Sequence, residues 1–460
     1  MLLTHFLEIV ADWRPVFPQQ RSFQRAVRQA LGSLVCLGRR CLTRILWTWG
    51  GQQRSWSAEY FLHSRCQWDP QALFAPILRR ALPHCRGRLI GVAVDDTRLR
   101  KTGRSILQAF YQRDPLSPPF HVNLVLGLRF LQASLLLPLH RRQASCRALP
   151  IRFAEVSRVK KPSAKVRQNQ PEAWRQYRQA AKQHNLSQYF VEMGRQLRQD
   201  LDAAGGANKI LVLAGDGSFC NRTCLRAPRE RTELILRGRK DAVLCWRAPA
   251  GSRRFYDPHK FNPEQVRQDE ARPWKTTKVF YGGKSRKVRY KELGPLYWRG
   301  GGGQIPLRLI VVAPTPYRKR KSSRKYYRRP AYLFSTDLTS SIKGLLQIYF
   351  DRWQIEVNHR DEKDTLGVGQ AQLWNETAVP KQPVLAVAAY SALLLAGLEA
   401  FGVERGRAYA PLPKWRRKAQ RPSCLDLITL LRREMAEHPE LTQIFACPIS
   451  DRGLTAAAAA

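Results

Sequence analysis

Short apolar runs that end in acidic residues are the clearest feature of the hydrophobic pattern. Residues 89–94 form one such run, followed by Asp95, Asp96 and Thr97, and residues 210–215 form another, followed by Asp216. Further strand-like runs cover 121–128, 129–137 and 331–336. We therefore predict an α/β protein whose buried strands carry acidic residues at their carboxyl ends.

Helical periodicity fills the sequence around these strands. Apolar residues spaced by three and four predict helices up to about residue 83 and over 172–203, 345–366, 384–401 and 426–437. The helical N-terminal part suits a DNA-binding module and a plain packing domain equally well. Segment 141–168 is rich in lysine and arginine and is predicted to be a loop that contacts phosphate or stays mobile.

A glycine-punctuated segment separates the acidic strand ends from the helix at 345–366. Its alternating pattern, with glycines at 282–283 and 300–303, predicts antiparallel hairpins. We interpret it as a β-rich insertion. The predicted units are 1–86 (helical, DNA-binding), 87–225 (catalytic core, first part), 226–330 (insertion), 331–403 (core, second part) and 404–460 (helical, a candidate for dimerisation).

The charge balance indicates the partner. The chain has 460 residues, and its 79 Lys and Arg against 35 Asp and Glu give a net charge of +44. Such an excess is self-repulsive unless a polyanion neutralises it, and nucleic acid is the first candidate. The apolar segment 383–403 carries Ser391 and Glu399 and is predicted to be a buried helix, so we expect no membrane partner. With no secretory signal pattern, the expected location is the cytoplasm.

The helix at 345–366 places both charge signs on one stripe. Tyr349, Arg352, Glu356 and Lys363, at offsets of three, seven and fourteen, fall on one side of a 3.6-residue helix. The ordinary interpretation is a solvated face with Arg–Glu pairs. The alternative is a carboxylate that binds a metal ion while the neighbouring cations bind phosphates.

This order, Y-x2-R-x3-E-x6-K, resembles the signature of the cut-and-paste insertion-sequence transposases of the DDE superfamily. The resemblance implies an RNase H-like core interrupted by a β-rich insertion, and an enzyme that cleaves the ends of a DNA element and joins them to target DNA. It implies Asp96, Asp216 and Glu356 as catalytic residues and ligands of Mg2+, for which Mn2+ can substitute. Asp95 is the alternative first ligand, and Asp96 is preferred because the family's ligand tends to precede threonine.

The resemblance also implies DNA contacts and an assembly. Tyr349, Arg352 and Lys363 are expected to hold terminal phosphates, and Trp298 to stack on a flipped base, with Trp246 and Trp274 as substitutes. The basic run 317–329 is predicted to track phosphates, or else to form a solvated loop; its cations are Arg318, Lys319, Arg320, Lys321, Arg324, Lys325, Arg328 and Arg329. The partners are double-stranded DNA and a second copy of the chain, with no small-molecule substrate.

Three questions stay open on sequence alone. Gly217, Ser218 and Phe219 follow the second acid instead of the Arg-Glu-Ala type of sequence, which leaves open the subgroup and whether a DNA hairpin intermediate forms. A transposase-derived DNA-binding protein without catalysis is one alternative. An RNase H-like nuclease without strand transfer is the other.

Overall fold

The computed structural model describes residues 1–53, 55–114, 117–118, 120–138, 146–320, 322–416, 419 and 421–443. Its α-helices are α1 Leu2–Ala11, α2 Gln20–Val35, α3 Leu42–Thr48, α4 Ser57–Ser64, α5 Phe74–Ala81, α6 Ala164–Asn169, α7 Pro171–Gln183, α8 Leu186–Leu201, α9 Arg222–Arg226, α10 Pro263–Gln268, α11 Ile342–Asp351, α12 Trp353–Arg360, α13 Ala378–Phe401, α14 Cys424–Glu437 and α15 Glu440–Gln443. Two π-helical turns, Asp202–Gly206 and Asp361–Thr365, continue α8 and α12.

The strands form one large mixed sheet and two small hairpins within the described residues. They are β1 Leu89–Arg100, β2 Phe110–Arg113, β3 Leu124–Leu137, β4 Arg147–Glu155, β5 Ile210–Gly215, β6 Thr232–Arg237, β7 Leu244–Arg247, β8 Tyr256–Phe261, β9 Lys275–Tyr281, β10 Lys284–Leu296, β11 Leu307–Val312, β12 Pro316–Tyr317, β13 Tyr326–Tyr327 and β14 Ala331–Ser335. The large sheet runs β2-β3-β1-β5-β6-β14-β11-β10-β9, and β4 also pairs with β3. The strands β1, β5 and β6 are parallel, whereas β3 is antiparallel to β1 and β14 to β6.

The central strand β1 has two faces of different character. Ile90, Val92 and Val94 are buried in the main core. Gly91 and Ala93 point the other way, and a Cβ added at Gly91 would lie 3.0 Å from Ile348 of α11. Small residues on this face therefore let α11 and α12 approach the sheet closely.

The opposite face and the β4 edge are covered by helices from both ends of the chain. The helix α13 packs against α1, α2, α4, α5, α14 and β4. Among the described residues it alone is long and apolar enough to cross a membrane, but most of it is buried, which is typical of a core helix in a soluble protein. The prediction of a buried helix here is confirmed.

The two ends of the chain are also joined by a buried helix cap. Glu434 of α14 accepts hydrogen bonds from the backbone N–H groups of Leu2 (3.1 Å) and Leu3 (2.7 Å), which begin α1. These donors have no partner within their own helix, so a carboxylate from α14 completes the first turn of α1. The N-terminal and C-terminal helices thus form one layer.

Several predicted element bounds are wrong. Residues 124–137 form one strand, where two were predicted over 121–137, and β4 lies in the segment 141–168 predicted to be a loop. The single helix predicted over 172–203 is interrupted between Gln183 and Leu186, where Asn185 caps α8 by accepting from the Ser187 and Gln188 N–H groups. In segment 226–330, strands β6, β9, β10 and β11 continue the large sheet.

The described cysteines are free thiols and most of them are buried. Burial raises the pKa of Cys220 to about 12 and that of Cys224 to about 11, so both stay protonated at neutral pH. Cys220 and Cys224 are therefore packed thiols and not metal ligands or disulfide partners in this structure.

Candidate functional site

Two acidic residues lie level with each other on neighbouring parallel strands, Asp95 within β1 and Asp216 directly after β5. The register pairs Gly91 of β1 with Val212 of β5, and Ala93 with Ala214. Continuing this register by two residues brings Asp95 level with Asp216, the first residue after β5, and the charge of Asp216 acts on Asp95. Side chains at matched positions of adjacent strands point to the same face, so both carboxylates belong to the face covered by α11 and α12.

The α11–α12 segment brings the third acid to this face. Ser341 caps α11 by accepting from the Gly344 N–H, and Ile355 of α12 is buried against Ala93 of β1. Glu356 follows Ile355 and is partly exposed, with 35% of its side chain accessible. Packing of Ile355 therefore holds Glu356 over β1, within electrostatic range of Asp216.

Arg352 lies between two of the three acids. Its Nη1 is 3.7 Å from Asp95 Oδ2, and its Nη2 is 3.4 Å from Glu356 Oε1. Asp216 is held from the other side by its own turn, because its Oδ1 accepts from the Ser218 N–H at 2.9 Å and from the Ser218 hydroxyl at 2.5 Å. A guanidinium thus offsets part of the negative charge that these carboxylates bring together.

Burial and mutual repulsion perturb the ionisation of the acids. Burial raises the pKa of Asp95 to about 7; the charge of Arg352 opposes this rise, and the charges of Asp216 and Asp96 add to it. Burial also raises the pKa of Glu356, with Asp216 adding to the rise and Arg352 opposing it. These shifts indicate a site that is short of positive charge.

Asp96, the preferred first ligand in the sequence analysis, faces the opposite side of the sheet. Its carboxylate accepts a hydrogen bond from Arg129 Nε at 2.8 Å. Adjacent residues of a strand point to opposite faces, so Asp95 and Asp96 cannot both face Glu356 while β1 stays regular. The contacts favour Asp95, the alternative, as the residue grouped with Asp216 and Glu356.

The carboxylates fit a hard metal ion in their chemistry. All three donors are oxygens, as Mg2+ prefers, and the raised pKa values of Asp95 and Glu356 would be relieved by a cation. Within the described residues, no three His, Cys, Asp or Glu side chains are arranged to hold a metal ion as they stand. Arg352, which bridges Asp95 and Glu356, lies where positive charge is needed.

The other residues of the helix stripe surround the acids. Tyr349 is half-buried, and its pKa is raised by burial and by the charges of Asp216 and Glu356, against Arg352 and Arg237. Lys363 lies in the π-helical turn after α12, where burial lowers its pKa and Asp95 is among the charges that act on it. All four stripe residues therefore lie within electrostatic range of the acids.

The predicted base-stacking residue has packing partners of its own. Trp298 is half-buried and stacks on Phe334, with ring centroids 5.6 Å apart. It also borders a pocket with five cations, namely Arg222, Arg226, Arg239, Lys260 and Arg299. Trp246 packs on Phe261, and Trp274 lies against the cations of Arg289 and Lys291.

The basic run 317–329 forms a β-hairpin in its described part. Tyr317 of β12 and Tyr326 of β13 are paired, with rings 5.6 Å apart. Lys319 and Arg324 lie over the Tyr326 ring, and Lys325 lies over Tyr327. Arg318 and Arg320 belong to the same hairpin, and Lys321 lies outside the described residues. The run therefore has a defined register that presents cations around tyrosine rings.

Three residues near the acids were not predicted from the sequence pattern. Gln132 is fully buried opposite Asp95 in β3, Glu362 is buried in the π-helical turn, and Arg237 ends β6 close to Tyr349. Burial raises the pKa of Glu362 to about 8, and the neighbouring Gln132 amide opposes this rise. Only Gln132 could have been found from the sequence, because it lies inside an apolar strand. A polar side chain is usually buried in such a strand only where it has a polar partner.

The comparisons with known protein families and with curated proteins identify no relative of this chain. No model of a known protein family matches this chain, and no curated protein is significantly similar to it. The residues of the acidic site and their surroundings are thus the basis for a functional assignment.

Proposed function

We propose that this protein is a DNA transposase of the DDE type, which cuts the ends of a DNA element and joins them to target DNA. The observation that carries the proposal is the grouping of Asp95, Asp216 and Glu356, with Arg352 paired to Asp95 and Glu356, and Asp216 acting on both of these acids. A chain with a net charge of +44 presents these acids to a polyanion.

The strand order supports an RNase H-like core. From the edge inwards, β4, β3 and β1 are antiparallel neighbours, and β5 and β6 follow in parallel with β1. The first acid lies on the central strand, the second follows β5, and the third lies on a helix that covers the same face. Three carboxylates from remote parts of the chain are what the resemblance to the DDE family implies.

Asp95, Asp216 and Glu356 would hold Mg2+. When bound, Mg2+ supplies an activated oxygen nucleophile and charge relief for the leaving oxygen of a phosphodiester. Tyr349, Arg352 and Lys363 bind the phosphates next to the cut. In this proposal, DNA phosphate replaces the carboxylates as partner of Arg352, which frees Asp95 and Glu356 for metal.

Assembly and location follow from the same chemistry. Two ends of an element must be cut and joined together, so we propose that two copies of the chain act as a homodimer on double-stranded DNA. The protein acts in the cytoplasm of a bacterial cell, where its DNA is accessible.

The test is DNA nicking by the purified protein with Mg2+ or Mn2+ on supercoiled plasmid. Glu356→Gln keeps the size of the side chain and removes its charge, so nicking should fall by about 100-fold or more while duplex binding persists. Binding without nicking by the parent protein in either metal would leave only a DNA-binding role. Nicking without joining of labelled ends to target plasmid would indicate a simple nuclease.

A further inference from the structure

A helical segment between β4 and α8 stands outside the packed body of the protein. We call residues 158–184, which contain α6 and α7, the basic arm. None of its residues is buried, and α6 and α7 contribute no side chain to a core. Most helices in proteins are stabilised by burying an apolar face, so this arm lacks the usual internal source of stability.

The arm is strongly cationic. It contains eight Lys and Arg and a single acid, Glu172, and all eight cations are exposed: Arg158, Lys160, Lys161, Lys165, Arg167, Arg175, Arg178 and Lys182. Glu172 pairs with Arg175 at 3.4 Å on the surface. Trp174 and Tyr177 lie together on one side of α7, with ring centroids 5.2 Å apart. The arm thus combines unneutralised charge with partly exposed aromatic rings.

A track of cations leads from the arm to Lys363 of the helix stripe, past Arg129 and Arg98 on the sheet face opposite Asp95. Tyr177 and His184 border a pocket together with Arg98 and Arg129 of the sheet. Arg98 also borders the neighbouring pocket, which contains Lys363 of the helix stripe. Because the two pockets share Arg98, the arm and Lys363 lie along one connected basic surface.

We propose that the basic arm is a clamp for duplex DNA, holding the backbone of the helix that extends away from the acidic site. This inference rests on the proposed function, because that function places the DNA at the acidic site. The 13 residues of α7 span about 20 Å, and a duplex presents about 12 phosphate charges over that length. Charge complementarity therefore favours a nucleic-acid backbone as the ligand of the arm. Contacts with the bound DNA would then stabilise the arm, which has no core contacts of its own.

The experiment compares two quadruple variants at the same four positions, one that removes the charges and one that keeps them. Lys161→Gln, Lys165→Gln, Arg178→Gln and Lys182→Gln together remove four arm charges, while Lys161→Arg, Lys165→Arg, Arg178→Lys and Lys182→Arg keep them. The probe is a fluorescein-labelled 40-base-pair duplex of mixed sequence, titrated from about 50 to 200 mM salt. These side chains are exposed, so thermal melting of both variants should match the parent.

The glutamine variant should bind the duplex at least about tenfold more weakly near 0.1 M salt, and its salt slope should be shallower by about 3. The charge-keeping variant should bind like the parent. The clamp proposal is wrong if the two variants bind the duplex equally. It is also wrong if the glutamine variant loses affinity for single-stranded RNA and not for the duplex. Plasmid nicking by the parent protein distinguishes failure of the clamp from failure of the proposed function. If only the clamp is wrong, the parent protein still nicks plasmid; if the proposed function is wrong, it does not.

Discussion

Asp95 and Asp96 leave β1 on opposite faces, so replacing each should have a different effect. Asp95→Asn removes charge from the group with Asp216 and Glu356, and plasmid nicking should fall by about 100-fold or more. Asp96→Asn weakens the bond to Arg129 on the other face and should leave nicking within about threefold of the parent. The measurement is the initial nicking rate in Mg2+. The reverse ranking would assign the metal ligand to Asp96.

The raised pKa of Asp95 has a consequence for stability. A carboxyl with a pKa of about 7 in the folded protein and 3.8 in its ordinary state holds its proton more tightly when folded. Stability is therefore lost as pH rises between these values, and the full cost of ionising Asp95 is present above about pH 7.

Asp95→Asn removes that cost. Without metal, its melting temperature should exceed that of the parent by about 2 °C or more near pH 8, with a smaller gain near pH 5. Scanning calorimetry in metal-free buffer measures the difference. The Asp96→Asn variant serves as control, and a gain for Asp95→Asn that does not depend on pH would contradict the shift.

At this scale the sequence predicted which strand ends carry acids, but not which of two adjacent acids faces the site. The Asp-Asp-Thr sequence is compatible with either face. The choice depends on the β1–β5 register and on the small side chains of Gly91 and Ala93, which admit α11 and α12. That information is in the pairing of strands 120 residues apart and not in the local pattern.

The end of β1 is tied to the segment that follows α12 through a buried lysine. Lys101 donates to the carbonyls of Gly369 (2.8 Å) and Ala371 (2.6 Å), and burial lowers its pKa to about 8. Lys101→Met should lower the free energy of unfolding by about 1 to 3 kcal/mol, because two buried carbonyls lose their donor. Urea unfolding measures the loss.

Arg104→Met is the matched control for this substitution. Arg104 lies three residues further on and is exposed, so its removal should change stability by less than about 0.5 kcal/mol. Equal effects of the two substitutions would mean that Lys101 does not anchor the segment after α12.

Element prediction worked best where the pattern was long and periodic. The helix bearing Tyr349 and Glu356 was predicted over 345–366, and helical residues run from Ile342 to Thr365 with an interruption at Arg352. The strand β4 was missed because the lysines and arginines of segment 141–168 outweighed its apolar residues. Leu149, Ile151 and Phe153 alternate there, but only pairing with β3 makes the alternation decisive.

At the scale of the whole molecule, the cap from Glu434 joins helices from opposite ends of the chain. Glu434→Ala leaves the Leu2 and Leu3 N–H groups buried without an acceptor and should lower the free energy of unfolding by about 1 to 3 kcal/mol. Chemical denaturation provides the measurement. Glu437→Ala, at a position of α14 that is 57% exposed, should change it by less than about 0.5 kcal/mol.

The predicted units are less separate in space than along the chain. The pattern of segment 226–330 indicates strands and hairpins but not their neighbours, and β9, β10, β11 and β14 in fact extend the sheet beyond β6. Likewise, nothing local in residues 1–86 shows that α1, α2, α4 and α5 surround α13. Such long-range contacts depend on how complete surfaces match, which a local pattern does not encode.

The cap on α1 also bears on how a new chain matures on the ribosome. The acceptor for the first turn is translated 432 residues after its donor, and at about 5 to 20 residues per second this delay amounts to roughly 20 to 90 s. For most of that interval the amphipathic N-terminal helices have neither α13 nor α14 to cover them. Nascent chains should therefore depend on chaperones until α14 emerges.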